Sequence, residues 1–291
     1  MRVEAVTVCI GYADYLAETL RVNRPLLDDL VVITSPLDHA TRGLCKEHSI
    51  RHVLSDEHKR DGPFNKARLI QRGFDQIGCQ DWVLHLDADI VLPRKFREFL
   101  DWGHLDERCI YGADRCNVGS WDAWRRIRDA GGWCNHRYDS VHRFSADASV
   151  GNRHVPHLHG YVPIGFFQLF HGTALIDRGF HLRQYPLWHG NAARTDVQFA
   201  LQWDRRFRQL LPEVIVLHLE SGPSSQGANW EGRTTPPFGE HPKSEIRNPK
   251  KDPSGAGLGS VSDLGFGASD LEAKPDHKHR HHHHHHHRPY F

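Results

Sequence analysis

Asp81-Trp82-Val83-Leu84-His85-Leu86-Asp87-Ala88-Asp89-Ile90-Val91-Leu92-Pro93 is the stretch that decides the fold. Residues 82–86 read as a short strand in which only His85 is polar. Such a run suits a central strand covered on both faces. Asp87 and Asp89 follow at once, and Pro93 stops the pattern. In an open α/β sheet, ligands bind outside the carboxyl ends of the strands. Carboxylate oxygens there suit Mg²⁺ or Mn²⁺ and, through the metal, a diphosphate. An Asp-x-Asp triplet alone is common, since a chain of this size holds about one by chance. Its weight comes from the apolar residues on both sides.

Working outward toward the amino end, residues 4–10 form a strand pattern. Residues 12–23 carry Tyr15, Leu16, Thr19 and Leu20 at helical spacing, and Pro25 closes that helix. A strand at 29–33, a turn at 34–38, a helix at 39–48 and a strand at 50–54 follow. This alternation predicts an α/β fold with a mostly parallel central sheet, flanking helices and right-handed crossovers. Residues 64–76 read as a helix with Ala67, Leu69, Ile70, Phe74 and Ile77 inward. Lys66 lies in its first turn, where a cation opposes the helix dipole. It is either a solvated outer-face lysine or one held by a partner.

Toward the carboxyl end, a helix runs from Pro93 to about 102, and a strand at 109–113 ends at Asp114 and Arg115. The pattern fails over 116–159 apart from an amphipathic piece at 121–130; its aromatic and arginine residues point to a substrate-facing lid. Residues 161–172 are apolar around Gly165, which predicts a close approach of backbone or ligand. A helix begins near 194, with Thr195 or Asp196 as its cap. The last strand is 214–217, followed by His218. These elements give a domain at 1–220, its donor half at about 1–115 and its acceptor half at about 116–220. Residues 221–291 read as a disordered tail. Its seven histidines at 281–287 resemble an affinity tag and bind soft divalent metals in any setting. Gly255-Ala256-Gly257-Leu258-Gly259 lacks the strand and helix that a dinucleotide loop needs.

Bulk composition narrows the function. The 291 residues carry 37 Lys plus Arg against 36 Asp plus Glu, so no basic field is available for nucleic acid. Mean hydropathy is −0.60, and no apolar run is long enough to span a membrane. The six cysteines form no Cys-x-x-Cys pair, and the amino terminus shows no cleavage signal, so a cytoplasmic setting is expected. Gly-x-Ser-x-Gly, Walker and His-Glu-x-x-His motifs are absent. His218-Leu219-Glu220 lacks the Pro-Cys-x-x-Cys of zinc deaminases.

Four features together resemble the GT-A glycosyltransferase fold, close to the large family 2 of inverting enzymes. They are Asp87-Ala88-Asp89, the loop Pro163-Ile164-Gly165-Phe166-Phe167, Asp196 at a helix start, and His218 after the last strand. The resemblance covers residues 3–220 and implies a nucleotide-diphosphate sugar donor, a Mn²⁺ or Mg²⁺ cofactor, an acceptor hydroxyl of unspecified kind, and hexosyl transfer with inversion. It further implies that Asp89 and His218 bind the metal, with Asp87 in the metal shell or near the ribose. Asp196 would be the catalytic base. The family often has Glu at the position held here by Thr195. Cys9, Gly11 and Asp38 fall where the family binds the nucleoside base, and Asn65 and Lys66 resemble a donor-side helix start. Arg115 would meet phosphate or acceptor. Plainer readings stay open: Asp196 as a helix cap, His218 as a strand-end histidine, Asp38 as a turn residue. A nucleotidyltransferase and a non-catalytic nucleotide or glycan binder are the alternative functions. The former normally has a basic, glycine-rich loop where this chain has Gly11-Tyr12-Ala13-Asp14.

Overall fold

The computed structural model describes residues 1–78, 80–118, 120–133, 160–176, 183–219 and 229–238, and the backbone of 148–150. Its strands are β1 (Val3–Val8), β2 (Asp29–Thr34), β3 (Arg51–Leu54), β4 (Trp82–Leu86), β5 (Ile90–Val91), β6 (Ile110–Val118), β7 (Ala148–Val150), β8 (Phe167–His171) and β9 (Arg208–Leu219). The helices are α1 (Ala13–Asn23), α2 (His39–Glu47), α3 (Lys66–Phe74), α4 (Phe96–Trp102), α5 (Trp121–Asp129) and α6 (Thr195–Ala200).

One sheet runs β3-β2-β1-β4-β8-β6-β9-β5, with β7 added to β6. β3, β2, β1 and β4 are mutually parallel, β8 runs against β4 and β6, and β9 is parallel to β6. Only β5, β7 and β8 run the other way, so the mostly parallel α/β sheet expected from the sequence is present. The central strands are buried on both faces, which is why they read as continuous apolar runs. Val3 and Ala5 of β1 and Leu84 and Leu86 of β4 join the core on one face, with Leu16 and Leu20 of α1. Val6, Val8 and Val83 join the other, with Leu69, Ile70 and Phe74 of α3. α3 lies close because residue 73 is glycine: a Cβ there would collide with Val6 Cγ1.

Several expectations are corrected. Ile90 and Val91, to which the sequence reading assigned no element, form β5, paired with His218 and Leu217 of β9. β6 does not end at Asp114 and Arg115; it continues to Val118 after a register shift between Ala113 and Asp114. β7 then pairs with Cys116 to Val118, so part of the supposedly strandless 116–159 segment belongs to the sheet. Of the apolar run 161–172, only Phe167–His171 is strand, and 160–166 is loop. β9 is far longer than the expected 214–217. Residues 229–238, expected in a disordered tail, pack against the domain and belong to the same compact unit. Phe238 is buried, stacking on Tyr15 with ring centroids 4.8 Å apart and meeting Trp121 edge-on at 5.0 Å. The histidine run, the 255–259 glycines, Cys79 and Cys134 lie outside the described residues. Cys9, Cys45, Cys109 and Cys116 are buried. Among the described residues no helix is long and apolar enough to cross a membrane.

Candidate active site

The carboxyl ends of β1 and β4 open into a cavity of about 460 Å³. Lys66, Asp87, Asp89, Arg115, Asp196 and His218 all line it. Chain segments spread over some 150 residues thus meet at one sheet edge, where an α/β topology puts ligands.

The turn carrying the two acids is clamped from below. Thr19 Oγ1 donates to Ala88 O at 2.8 Å, Asn23 Nδ2 donates to Ile90 O at 2.7 Å, and Leu92 N donates to Asn23 Oδ1 at 2.9 Å. Asp87 N donates to Phe166 O at 3.2 Å, and Leu219 N to Asp89 O at 2.9 Å. α1, the loop before β8 and the end of β9 therefore fix this backbone. The side chains then diverge. Lys66 Nζ meets Asp87 Oδ1 at 2.6 Å. The lysine is not a solvated outer-face residue; α3 delivers it inward, with Asn65 capping the helix through Arg68 N at 3.2 Å. Asp89 Oδ2 faces His218 Nε2 at 3.2 Å, because β9 pairs His218 with Ile90 on one side and Asn117 on the other.

These partners separate the two acids electrostatically. Burial pushes the Asp87 carboxyl up, the Asp89 charge adds to this, and Lys66 offsets part of it. Burial would raise Asp89 as well, but His218 and Lys66 outweigh it and hold Asp89 below the ordinary carboxylate value. Burial opposes the Lys66 ammonium, yet Asp87, with Asp89 and Asp196, raises it. Two like acids in different surroundings are the usual way a site divides roles.

Asp196 sits in the first turn of α6, where Arg194 is the cap residue, in left-handed conformation at φ 62°, and no side chain caps the helix. Neither Thr195 nor Asp196 is the cap. Asp196 Oδ2 instead accepts from Gly165 N at 2.6 Å. A Cβ at position 165 would lie 2.8 Å from Asp196 Cβ, so the close approach expected at this glycine is between loop and acid.

The residues expected at the nucleoside base, Cys9, Gly11 and Asp38, are placed differently. Gly11, at φ 72°, donates its N–H to Asp38 Oδ2 at 2.8 Å, and Asp38 caps α2 through Thr41 N at 3.0 Å. Neither lines the cavity. Cys9 is fully buried beside Thr41 Oγ1 at 3.3 Å, and burial pushes its thiol up, so it belongs to the core beneath the site.

Two features escaped the sequence reading. The first is a buried polar chain under the floor. Gln168 Nε2 donates to Pro163 O and to Asp196 O, each at 3.0 Å, which leaves its Oε1 to accept from Tyr185 Oη. Tyr185 Oη then accepts from His85 Nδ1 at 2.9 Å. Burial and the Lys66 charge push His85 well below its ordinary value, so the ring is neutral, with Nε2 unprotonated 3.7 Å from Asp87 Oδ1. The second is the segment 229–238. Asn229, Trp230 and Arg233 line the cavity, and Arg233 is tied to Asp14 at 2.8 Å and to Gly11 O at 2.7 Å.

Among the described residues no three His, Cys, Asp or Glu side chains form a ready metal cluster. The pair Asp89–His218 nevertheless suits a divalent cation. His218 Nδ1 lies 3.3 Å from Asn117 Oδ1; with a proton donated to that oxygen, Nε2 either carries the proton that holds Asp89 low or, once that proton is lost, offers its lone pair beside the Asp89 carboxylate. A shared proton or a cation reconciles two such acceptors. A hard ion held by two protein ligands, with phosphate and water oxygens completing its shell, matches this donor set.

No protein-family model matches the chain. No curated protein matches it either. Solved structures do. Glucosyl-3-phosphoglycerate synthase from Mycobacterium tuberculosis, in complex with Mn²⁺ and UDP-glucose, is similar at 12% identity and a TM-score of 0.44, over 79% of this chain and 75% of that one. The same enzyme with phosphoglyceric acid gives 13% identity and a TM-score of 0.42, over 75% and 70%. A structure described as a mycobacterial protein gives 13% and 0.41, over 75% and 65%. The chemistry of the site rests on this chain's own residues.

Proposed function

We propose that this protein is a glycosyltransferase that moves a sugar, a hexose in the simplest form, from a nucleoside diphosphate to an acceptor hydroxyl with inversion. The supporting observation is the meeting of three differently prepared acids in one cavity: Asp87 held by Lys66, Asp89 facing His218, and Asp196 held by Gly165 N–H. Asp89 and His218 would hold Mn²⁺ or Mg²⁺, with Asp87 beside them. Bound there, the cation offsets the charge that develops on the departing diphosphate. Lys66 supplies a second positive charge to the same end of the cavity. Asp196 accepts the acceptor's proton as its oxygen forms the new bond to the anomeric carbon, and the electron pair of the broken carbon–oxygen bond leaves with the diphosphate. The Gly165 bond occupies Asp196 Oδ2, so Oδ1 is the oxygen assigned to the base. Buried thiols suit a reducing, cytoplasmic setting.

The test is turnover of a nucleotide-sugar panel with Mn²⁺ and Mg²⁺, read by mass spectrometry. Asp89→Ala is expected to abolish metal-dependent release of nucleoside diphosphate. Unchanged turnover in that variant defeats the reading. Nucleotide binding with no turnover on any acceptor makes the protein a binder, and pyrophosphate release from a triphosphate makes it a nucleotidyltransferase.

A further inference from the structure

Asp87, Asp89 and Asp196 each have a polar partner in the cavity, whereas among the described residues Arg115 has no hydrogen bond or ion pair. Arg115, on β6, is 7% exposed and lines the cavity. Its Nε is buried with no hydrogen-bond partner, and among the described residues no carboxylate lies within ion-pair distance of its guanidinium. Its contact is the ring of Phe166, whose centroid lies 4.9 Å from Cζ. A guanidinium taken out of water without a counter-charge is unfavourable, so the site is complementary to an anion that the chain itself does not supply. A planar fork of donors on an aromatic face matches a phosphate or carboxylate group.

The position of Arg115 indicates which reactant brings that group. Arg115 stands two residues before Asn117, on the same face of β6, roughly 7 Å along the strand from the residue that steadies His218. It leans on Phe166, in the loop whose Gly165 holds Asp196. Through Phe166 it is joined to the loop that holds Asp196 as well as to the Asp87 backbone, whose N–H donates to Phe166 O at 3.2 Å. We infer that Arg115 binds an anionic group, phosphate or carboxylate, carried by the acceptor, so that the acceptor is an acidic alcohol rather than a neutral sugar. This rests on the transfer reading above, and the competing source of the anion is the donor's own diphosphate.

Calorimetry on the full chain tests it, with glycerol 3-phosphate as probe, glycerol as control, and Mg²⁺ and UDP present to occupy the donor end. Wild type is expected to bind glycerol 3-phosphate and not glycerol. Arg115→Gln should weaken the probe at least tenfold while changing UDP–Mg²⁺ affinity less than threefold. Arg115→Lys, which keeps the charge and loses the fork, should fall between; it also decides the matter if the glutamine variant does not fold. Absence of probe binding to wild type, or equal binding by both variants, overturns the inference. So does a tenfold loss of UDP binding with the probe unaffected, since the anion is then the diphosphate. UDP–Mg²⁺ binding unaffected by Asp89→Ala counts against the transfer reading alone, and titrating the probe without UDP still decides the role of Arg115.

Discussion

At the scale of single residues, Asp196 depends on the absence of a side chain at position 165. Gly165→Ala puts a Cβ 2.8 Å from Asp196 Cβ, and both are held by backbone rather than by flexible chain ends. The expected outcome is a loss of about 1–3 kcal/mol in thermal or denaturant unfolding, as for other overpacked sites. A fall in kcat larger than the rise in KM should accompany it, measured on whichever donor proves active. Tyr185→Phe tests the buried chain below. It leaves His85 Nδ1 and Gln168 Oε1 without their shared hydroxyl, and should cost about 1–3 kcal/mol of stability in the same assays. The acids and His218 drew attention in the sequence because each stood beside the end or start of a strand or helix pattern, and the cavity brings them together. Tyr185 and Gln168 drew none. One lies in an irregular segment, the other inside an apolar strand, and their hydroxyl and amide meet only through tertiary packing.

At the scale of elements, α3 sets the position of Lys66. The helix is fixed laterally by Gly73 against Val6 and at its start by the Asn65 cap. Gly73→Ala would drive a methyl into Val6 Cγ1 and should lower Tm more than any gain in helix propensity restores. Asn65→Ala should cost about 1 kcal/mol, since it also gives up the bond to Leu187 O at 2.7 Å. Strands and helices of the parallel half were legible to within a few residues because alternation of apolar strand and amphipathic helix is a local signal. The mixed half was less so. β5 is two residues long, and β7 and the extension of β6 exist by pairing across the sheet, which no local pattern reports. The direction of Lys66 was open for the same reason: its partner is 21 residues away.

At the scale of the whole molecule, residues 229–238 return to the cavity mouth and are fastened by Asp14. Burial alone would raise that carboxyl, but Arg233, with the Phe238 and Tyr15 backbone N–H groups, outweighs it and holds it below the ordinary value. A carboxyl depressed in the folded state stabilises above its unfolded pKa and loses that contribution as pH falls through the folded value. The segment should therefore stay attached at neutral and mildly acidic pH and loosen below about pH 4. Hydrogen exchange of 229–238 checks this, and Asp14→Asn should show the loosened state at pH 7. The surrounding tail, rich in Pro, Gly, Ser and charge, hid this packing, because Phe238 is the segment's one large buried side chain. The pairing of Asp89 with His218 has a wider consequence. These side chains are 129 residues apart, and the last core strand brings them together. On the ribosome, Asp89 emerges long before its partner exists. On the proposed reading, cation capture is accordingly a late event in maturation, and a chain stopped short of that strand lacks one of the two proposed ligands.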